Sequence, residues 1–288
     1  MSEVDAPQAE GLQRLSRRDF DRLAHFIHNT AGIKMPVTKQ TMLEGRLRRR
    51  LRSLGFNNFG DYCQFVFDDG GLEDEATAII DAVTTNKTDF FREADHFRYL
   101  VETALPRLEP RTGAGIERPL KVWSSACSTG AEAYTLAMVL KEYATGRRSY
   151  RYSILATDIC TEVLEKAAMA IYPEAMIAPI PLDMRRKYLL RARDPGRNDV
   201  RMAPELRSVV CFGRLNLMDE SYGLDRDMDV IFCRNLLIYF DKATQQKVLS
   251  RLCGHLRPGG YLFLGHSETI AGLSLPLRQV STTVFLRD

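Results

Sequence analysis

From Ser16 onward, apolar residues recur at helical spacing. Phe20, Leu23 and Ile27 share one face behind Ser16, a side chain suited to capping, and Leu15 and Phe20 sit where the two halves of a hydrophobic staple belong. Across 38–55, TKQTMLEGRLRRRLRSLG, the stripe Leu43, Leu47, Leu51 and Leu54 keeps the same period, and Gly55 stands where such a helix ends. Arg48, Arg49 and Arg52 cluster opposite the leucines, with Arg46 and Arg50 flanking them. A solvated face is one reading of these charges. However, five arginines within seven positions and no acid between them repel one another, so a docking surface for an acidic partner is the other. DYCQFVFDD and EDEATAIIDAVTT continue the helical texture, whereas 107–119, RLEPRTGAGIERP, is rich in proline and glycine and reads as a loop.

Beyond that loop the period changes. KVWSSAC, YRYSILATD, SVVCFGRLNL, DMDVIFCRNL and YLFLGHS are short apolar runs, and AYTLAMVLKEYA, TEVLEKAAMAIY and KATQQKVLSRLCGHL are helical patterns lying between several of them. The alternation predicts an α/β fold, a doubly wound parallel sheet with helices on both faces. From about Pro173 to Glu205 it is interrupted by prolines, a DPGRND turn and the extended pieces KYLLR and DVRMA, which predict a small appended antiparallel subdomain. The expected organisation is a helical domain over 12–82, a linking segment over 83–120, and an α/β domain over 121–288 carrying the insertion 173–205.

Such sheets bind ligands outside the carboxyl ends of their strands, which directs attention to 128–132, Asp158, Asn216, Leu217, Arg234 and Asn235. KVWSSACSTGAEAY has the form of strand, turn and helix start. A pyrophosphate cradle would need several glycines there, yet the turn has Gly130 alone and then an acid, Glu132. That carboxylate would repel phosphate and suits a ligand bearing a cation or hydroxyls. Asp158 is placed to accept from both hydroxyls of a ribose, or else to cap the helix opening at CTEVLEKAA.

Composition narrows the picture. The 288 residues have a formal net charge of +3, so any nucleic-acid-like basic function must be local. No apolar run approaches the roughly 20 residues of a membrane span, and the opening MSEVDAPQAEG is acidic rather than a secretion signal, so a cytoplasmic protein is expected. Cys63, Cys127, Cys160, Cys211, Cys233 and Cys253 form no CxxC pair and read as buried free thiols. His25 and His28 lack an evident third ligand and read as a helix-face pair; no metal is expected.

TTNKTDFFRE (84–93), WSSACSTGAEAY (123–134), ILATDI (154–159), RLNL (214–217), VIFCRNLLIYFD (230–241) and GGYLFLGHSET (259–269) together resemble the CheR family of chemotaxis receptor methyltransferases, from about Ser16 to the C-terminus. The resemblance implies a small all-α domain before a class I methyltransferase domain, a Rossmann-like doubly wound sheet with a small β-subdomain. It also implies S-adenosylmethionine as methyl donor, glutamates on cytoplasmic helices of chemoreceptors as acceptors, and, in some members, a receptor C-terminal peptide captured by the β-subdomain. Carried across by motif, the cofactor contacts are Asn86, Thr88, Arg92, Glu132, Asp158, Asn216, Leu217, Arg234 and Asn235, and the catalytic positioning residues are Arg92 and Tyr239. Within this frame the arginine helix, Arg46, Arg48, Arg49, Arg50 and Arg52, becomes the substrate-docking surface. The first loop departs from the family's STGEEPYS form at Ala131, Ala133 and Thr135, while the acid at Glu132 is kept. Adenosylmethionine has an ammonium, a sulfonium and ribose hydroxyls but no phosphate, so Glu132 is expected to meet the ammonium and Asp158 the ribose. A nucleic-acid methyltransferase is disfavoured because FCRNLLIYF stands where a (D/N)PP(Y/F) loop for an extruded base would be. A binding module without turnover is disfavoured by the intact Arg92, Asn235 and Tyr239. Nothing in the sequence requires more than a monomer.

Overall fold

The computed structural model describes residues 14–147, 149–194 and 196–288. The MSEVDAPQAEG stretch, the first two residues of the expected helical domain and Pro195 of the DPGRND turn lie outside them. The chain divides after Thr84 into two compact units.

The first unit holds helices α1 (Arg17–Ala31), α2 (Gln40–Leu54), α3 (Phe59–Phe67) and α4 (Leu72–Val83). Ser16 caps α1 by accepting from the Asp19 N–H at 3.1 Å, and Leu15 and Phe20 are both buried. The leucine stripe packs as its period demands: Leu43, Leu47 and Leu51 share one core with Phe20, Leu23, Ile27, Tyr62 and Ile79. Leu54, the last residue of α2, is instead exposed. The arginine face divides in two. Arg50 pairs with Glu75, a buried carboxylate that also accepts the Tyr62 hydroxyl at 3.1 Å, and Arg46 donates to the carbonyls of Val83 and Thr84. These two arginines hold α2 against α4, since a buried carboxylate needs a partner. Arg48, Arg49 and Arg52 are exposed.

In the second unit the strands are β1 (Leu120–Ser125), β2 (Tyr152–Asp158), β3 (Ile171–Pro173), β4 (Leu189–Arg191), β5 (Asp199–Met202), β6 (Val210–Arg214), β7 (Met228–Cys233), β8 (Leu256–Leu264), β9 (Leu277–Ser281) and β10 (Val284–Arg287). The helices are α5 (Asp95–Tyr99), α6 (Leu105–Thr112), α7 (Ala131–Ala144), α8 (Thr161–Met169), α9 (Leu182–Tyr188), α10 (Pro204–Arg207) and α11 (Lys242–His255). The main sheet runs β6-β2-β1-β7-β8-β10-β9, parallel through β8, with β10 antiparallel to both its neighbours. It is the doubly wound sheet expected of a class I methyltransferase. Strand order reverses between β1 and β7, the place where such sheets open a ligand crevice at their carboxyl ends. The second, antiparallel sheet, β3-β5-β4, forms the small subdomain, as the broken alternation predicted.

Each central strand is buried on both sides, and successive residues enter different cores. Val122, Val230 and Phe232 pack with Leu136 and Leu140 of α7, while Trp123, Ile231 and Cys233 pack with Val248 and Leu252 of α11. An aromatic column locks one face: Phe232 stacks on Phe263 at 4.4 Å between centroids and on Phe97 at 5.7 Å. Phe97 lies on α5, so the column anchors the TNKTDFFRE segment against the sheet.

Three features differ from the sequence expectations. Residues 107–112 belong to α6 and not to a loop, because Pro106 sits in the helix's first turn, where no N–H is needed, and Gly113, at φ 67°, supplies the end. The pair β9 and β10 lies in SLPLRQVSTTVFLRD, where mixed polar residues on an outer hairpin mask the strand pattern. Cys211 is exposed because β6 is an edge strand; the other five cysteines are buried. Phe232→Ala should remove the centre of the aromatic column and destabilise the second unit by about 3–5 kcal/mol, read from denaturant unfolding.

Candidate functional site

The loops after β1, β2, β6, β7 and β8 gather at the carboxyl end of the sheet. Asp158, at the end of β2, accepts from the Ser128 N–H at 2.8 Å and from the Cys160 N–H at 3.0 Å. It therefore ties the β1 loop to the start of α8. The Ser128 hydroxyl donates to the Asn86 carbonyl at 2.8 Å, which fastens the TNKTDFFRE segment to the same loop. Gly130 is required by space and conformation: its φ is 85°, and a Cβ there would lie 2.9 Å from the Ala167 Cβ and 3.0 Å from the Tyr172 hydroxyl. Thr135, one of the departures from the family's first loop, accepts from the Phe91 N–H at 3.2 Å and donates to the Ala131 carbonyl at 2.7 Å. Phe91, Glu93, Ala126, Ser128 and Asn235 all adopt positive φ, between 52° and 75°. So many strained residues at one end of a sheet mark a place where the surroundings fix the backbone.

The centre of the site is Arg234, which follows β7. Its guanidinium donates to Glu132 Oε2 at 3.0 Å, to Glu93 Oε2 at 2.9 Å and to the carbonyl of Arg92. Glu132 also accepts the Ser124 hydroxyl at 2.7 Å. Glu93 further accepts from the Asn235 side chain at 3.1 Å and from the His266 N–H at 3.2 Å. Burial pushes the Glu93 carboxyl up, but the hydrogen bonds from Asn235 and Arg234, together with the Arg234 charge, prevail and bring it down to about 2. His96 lies beside it, with Nε2 2.8 Å from the Thr283 hydroxyl. Burial, then the Arg234 charge, lower its pKa to about 4, against the opposing pull of Glu93. Two carboxylates on one guanidinium leave a surplus of one negative charge in a buried place.

A third carboxylate shapes the loop. Glu268, buried and pushed upward in pKa by that burial, accepts from the N–H groups of Leu237, Asn235 and Gly265 at 2.7, 2.9 and 2.6 Å. It holds the FCRNLLIYF turn, including the left-handed Asn235. Of the other residues picked from the sequence, Arg92 donates to the Lys87 carbonyl at 3.1 Å, and as residues both Arg92 and Thr88 are half-buried. Asn216 accepts from the Met218 N–H at 3.0 Å, and Leu217 is buried beside it. Tyr239 is half-buried on a short turn, Leu237–Tyr239. The structure thus joins Glu132 to Arg234 directly, and Asn86 to Asp158 through Ser128. Sequence reasoning assigned no role to Glu93 or His96, although Glu93 directly follows Arg92 in the FFRE motif.

Residues 86–286 match the SAM-binding domain of CheR methyltransferases, and residues 18–84 match the all-alpha CheR domain. The chain belongs to the CheR methyltransferase family. It is similar to the chemotaxis protein methyltransferases of Klebsiella aerogenes (41% identical over 280 residues, 96% of this chain and 92% of that one) and Escherichia coli K12 (39% over 271 residues, 94% and 91%). The chemotaxis protein methyltransferase of Borreliella burgdorferi is 37% identical over 259 residues, 90% of each chain. This CheR-family chain is accordingly an S-adenosylmethionine-dependent methyltransferase. The donor set fits that cofactor: a cationic, phosphate-free ligand suits residues that leave one surplus negative charge beside a fixed aspartate, and does not suit a phosphate cradle.

Acid should unfold the protein partly through this site. His96 and Glu93 are both held below their ordinary values, so the folded state binds fewer protons than the unfolded one and stability falls as pH falls. His96's contribution is complete above its ordinary 6.5 and disappears towards about 4; Glu93's is complete above its ordinary 4.5 and disappears towards about 2. Urea unfolding across this range should show both stretches, and His96→Asn should flatten the upper one.

Proposed function

We propose that this enzyme transfers the methyl group of S-adenosylmethionine to glutamate side chains on the cytoplasmic helices of chemoreceptors, giving methyl esters that serve sensory adaptation. The observation that carries the reading is the Glu93, Arg234 and Glu132 constellation at the same end of the sheet as Asp158, where two carboxylates share one guanidinium. A glutamate of ordinary pKa about 4.3 is already ionised at neutral pH, so the acceptor needs no general base. When bound, the cofactor supplies an electrophilic methyl on a sulfonium. What the chain must supply is alignment and the exclusion of water.

In this reading Glu132 receives the cofactor's ammonium and Asp158 the ribose hydroxyls, with Asn86, Thr88, Asn216, Leu217 and Asn235 completing the contacts. Arg92, with one of its five donors on Lys87, uses the rest of its planar fork on a carboxylate, the cofactor's or the substrate's. Tyr239 donates a hydrogen bond that orients the attacking glutamate. Arg48, Arg49 and Arg52 steer the acidic receptor helix electrostatically, while Arg46 and Arg50 hold the helix that presents them. The small sheet, with β3 and β4 as outer strands, is where a receptor's C-terminal peptide would add as a further strand. Among the described residues no helix is long and apolar enough to cross a membrane, and a substrate on the cytoplasmic helices of receptors would place the enzyme in the cytoplasm.

Incubation with methyl-labelled cofactor and a purified receptor cytoplasmic fragment should label the receptor, and base should release the label as methanol. Base-stable label, or transfer to nucleic acid instead, would overturn the reading. Tyr239→Phe should lower kcat by about tenfold or more with cofactor affinity unchanged, as expected when a positioning hydrogen bond is lost; unchanged turnover would remove the tyrosine's role. Reversing the charges of Arg48 and Arg49 to glutamate should weaken methylation more at low salt than at high salt.

A further inference from the structure

We propose that Tyr172, on β3 of the small sheet, is a positioning residue for cofactor binding: its hydroxyl holds the turn after β1 in the shape that leads into Glu132. This deepens the reading above and rests on its assignment of Glu132 and of the TNKTDFFRE residues to the cofactor. β3 alternates as a strand should, with Ile171 and Pro173 exposed and Tyr172, 2% exposed, turned into the core of the second unit. The Tyr172 hydroxyl donates to the Thr129 carbonyl at 2.7 Å. Burial pushes the phenol well up in pKa, so the proton stays on the oxygen and the bond keeps this direction.

The bond falls at the tightest point of the turn. Thr129 precedes Gly130, which is left-handed at φ 85° where α7 begins, and a Cβ at Gly130 would lie 3.0 Å from the same hydroxyl. Among the described residues the buried Thr129 hydroxyl finds no hydrogen-bond partner, so that side chain does not fasten the turn. A second tie runs the opposite way: the Tyr134 hydroxyl, from the first turn of α7, donates to the Ala167 carbonyl of α8 at 3.1 Å. The Tyr134 and Tyr172 rings meet edge to face with centroids 6.2 Å apart, and Phe90 packs edge-on against Tyr172 at 4.9 Å. Phe90 stands between Thr88 and Arg92 in the TNKTDFFRE segment. Tyr172 thus bears on both segments to which cofactor contacts are assigned, and acts on the cofactor through them.

Tyr172→Phe removes the hydroxyl and keeps the ring on Phe90 and Tyr134. Tyr188→Phe is the control, because it removes another hydroxyl bond made to α7, the 2.6 Å bond to Glu142 Oε1, at a point about 15 Å along that helix from Glu132. Each protein is titrated calorimetrically with adenosylmethionine and with adenosylhomocysteine, at a temperature where circular dichroism shows it fully folded. Tyr172→Phe should raise the Kd for both ligands by about fivefold, the scale of one lost hydrogen bond, whereas Tyr188→Phe should leave both within about twofold of the wild type. A merely structural role would lower the urea midpoint of Tyr172→Phe and leave its Kd values unchanged; that result, or equal weakening in the two variants, would overturn the inference. Hydrogen exchange supplies a second reading: amides of 126–134 should exchange faster in Tyr172→Phe while those of β7 and β8 keep their protection, and unchanged protection of 126–134 would count against the role. The titration involves no acceptor, so wild-type protein that binds the cofactor yet labels no receptor would sink the proposed substrate and leave this inference standing.

Discussion

Arg234 brings a full positive charge to the end of the innermost part of the sheet and leaves it there with its side chain 2% exposed. A charge so placed persists only if it is paired, and removing one partner from such a set costs about 3–5 kcal/mol. The partners come from separate segments: Glu132 from the first turn of α7, Glu93 from the segment before α5, and the Arg92 carbonyl beside it. Phe97 and Phe232 place their rings 5.4 and 5.8 Å from the guanidinium carbon, so the cation also rests on the aromatic column that fills the core. Core packing and site geometry are thereby one arrangement, and the strained backbone at Phe91, Glu93 and Asn235 is held by both.

That dependence explains how the two halves of the site stay in register. Segments preceding the sheet would be free to drift if held by loops alone. Here the TNKTDFFRE segment is pinned at several points: Asn86 by Ser128, Phe91 by Thr135, and Glu93 by Arg234. Glu268 does the equivalent work for the turn after β7, satisfying the Asn235 and Leu237 N–H groups that a sharp turn would otherwise leave unpaired inside the protein, and it ties that turn to the Gly265 N–H after β8. Both glutamates lie outside the cofactor contacts carried over by motif. Both act on the shape of the backbone that carries those contacts.

How much of this was legible beforehand follows from what period and local chemistry can encode. The central strands and the helices between them announce themselves through unbroken apolar runs and 3.6-residue stripes, and the break in alternation revealed a small antiparallel sheet, although its first strand, β3, lies almost wholly before Pro173, in residues read as the end of a helical pattern. The pair β9 and β10 was not legible, since the apolar run of β10 is only three residues long and polar residues interrupt β9, and α6 was hidden by prolines whose meaning depends on their place in the turn. Within the site, residues at strand ends could be picked because the sheet's topology directs ligands there. Glu93 and His96 could not, because their roles depend on long-range pairing: Glu93 with Arg234 across 141 positions and His96 with Thr283 across 187. The arginine helix shows the opposite limit. A wheel places Arg46 and Arg50 at the flanks, yet only tertiary structure reveals that Val83, Thr84 and Glu75 lie within their reach.

The turn after β1 shows why composition of a loop must be weighed against what the loop crosses. In a phosphate cradle, glycines serve the ligand by letting the backbone approach it. Here the glycine serves the protein, because α8 and Tyr172 pass so close to Gly130 that any Cβ would meet Ala167 or the tyrosine hydroxyl. With the glycine's purpose settled internally, what sets this turn apart from a phosphate cradle is the acid two residues later. Glu132 is oriented from two sides: the Ser124 hydroxyl donates to one of its oxygens and Arg234, which Glu93 also pairs, donates to the other. A carboxylate held in one orientation beside two carboxylate-bound donors is unsuited to a phosphate, and this distinguishes the turn from the dinucleotide loop whose outline it shares.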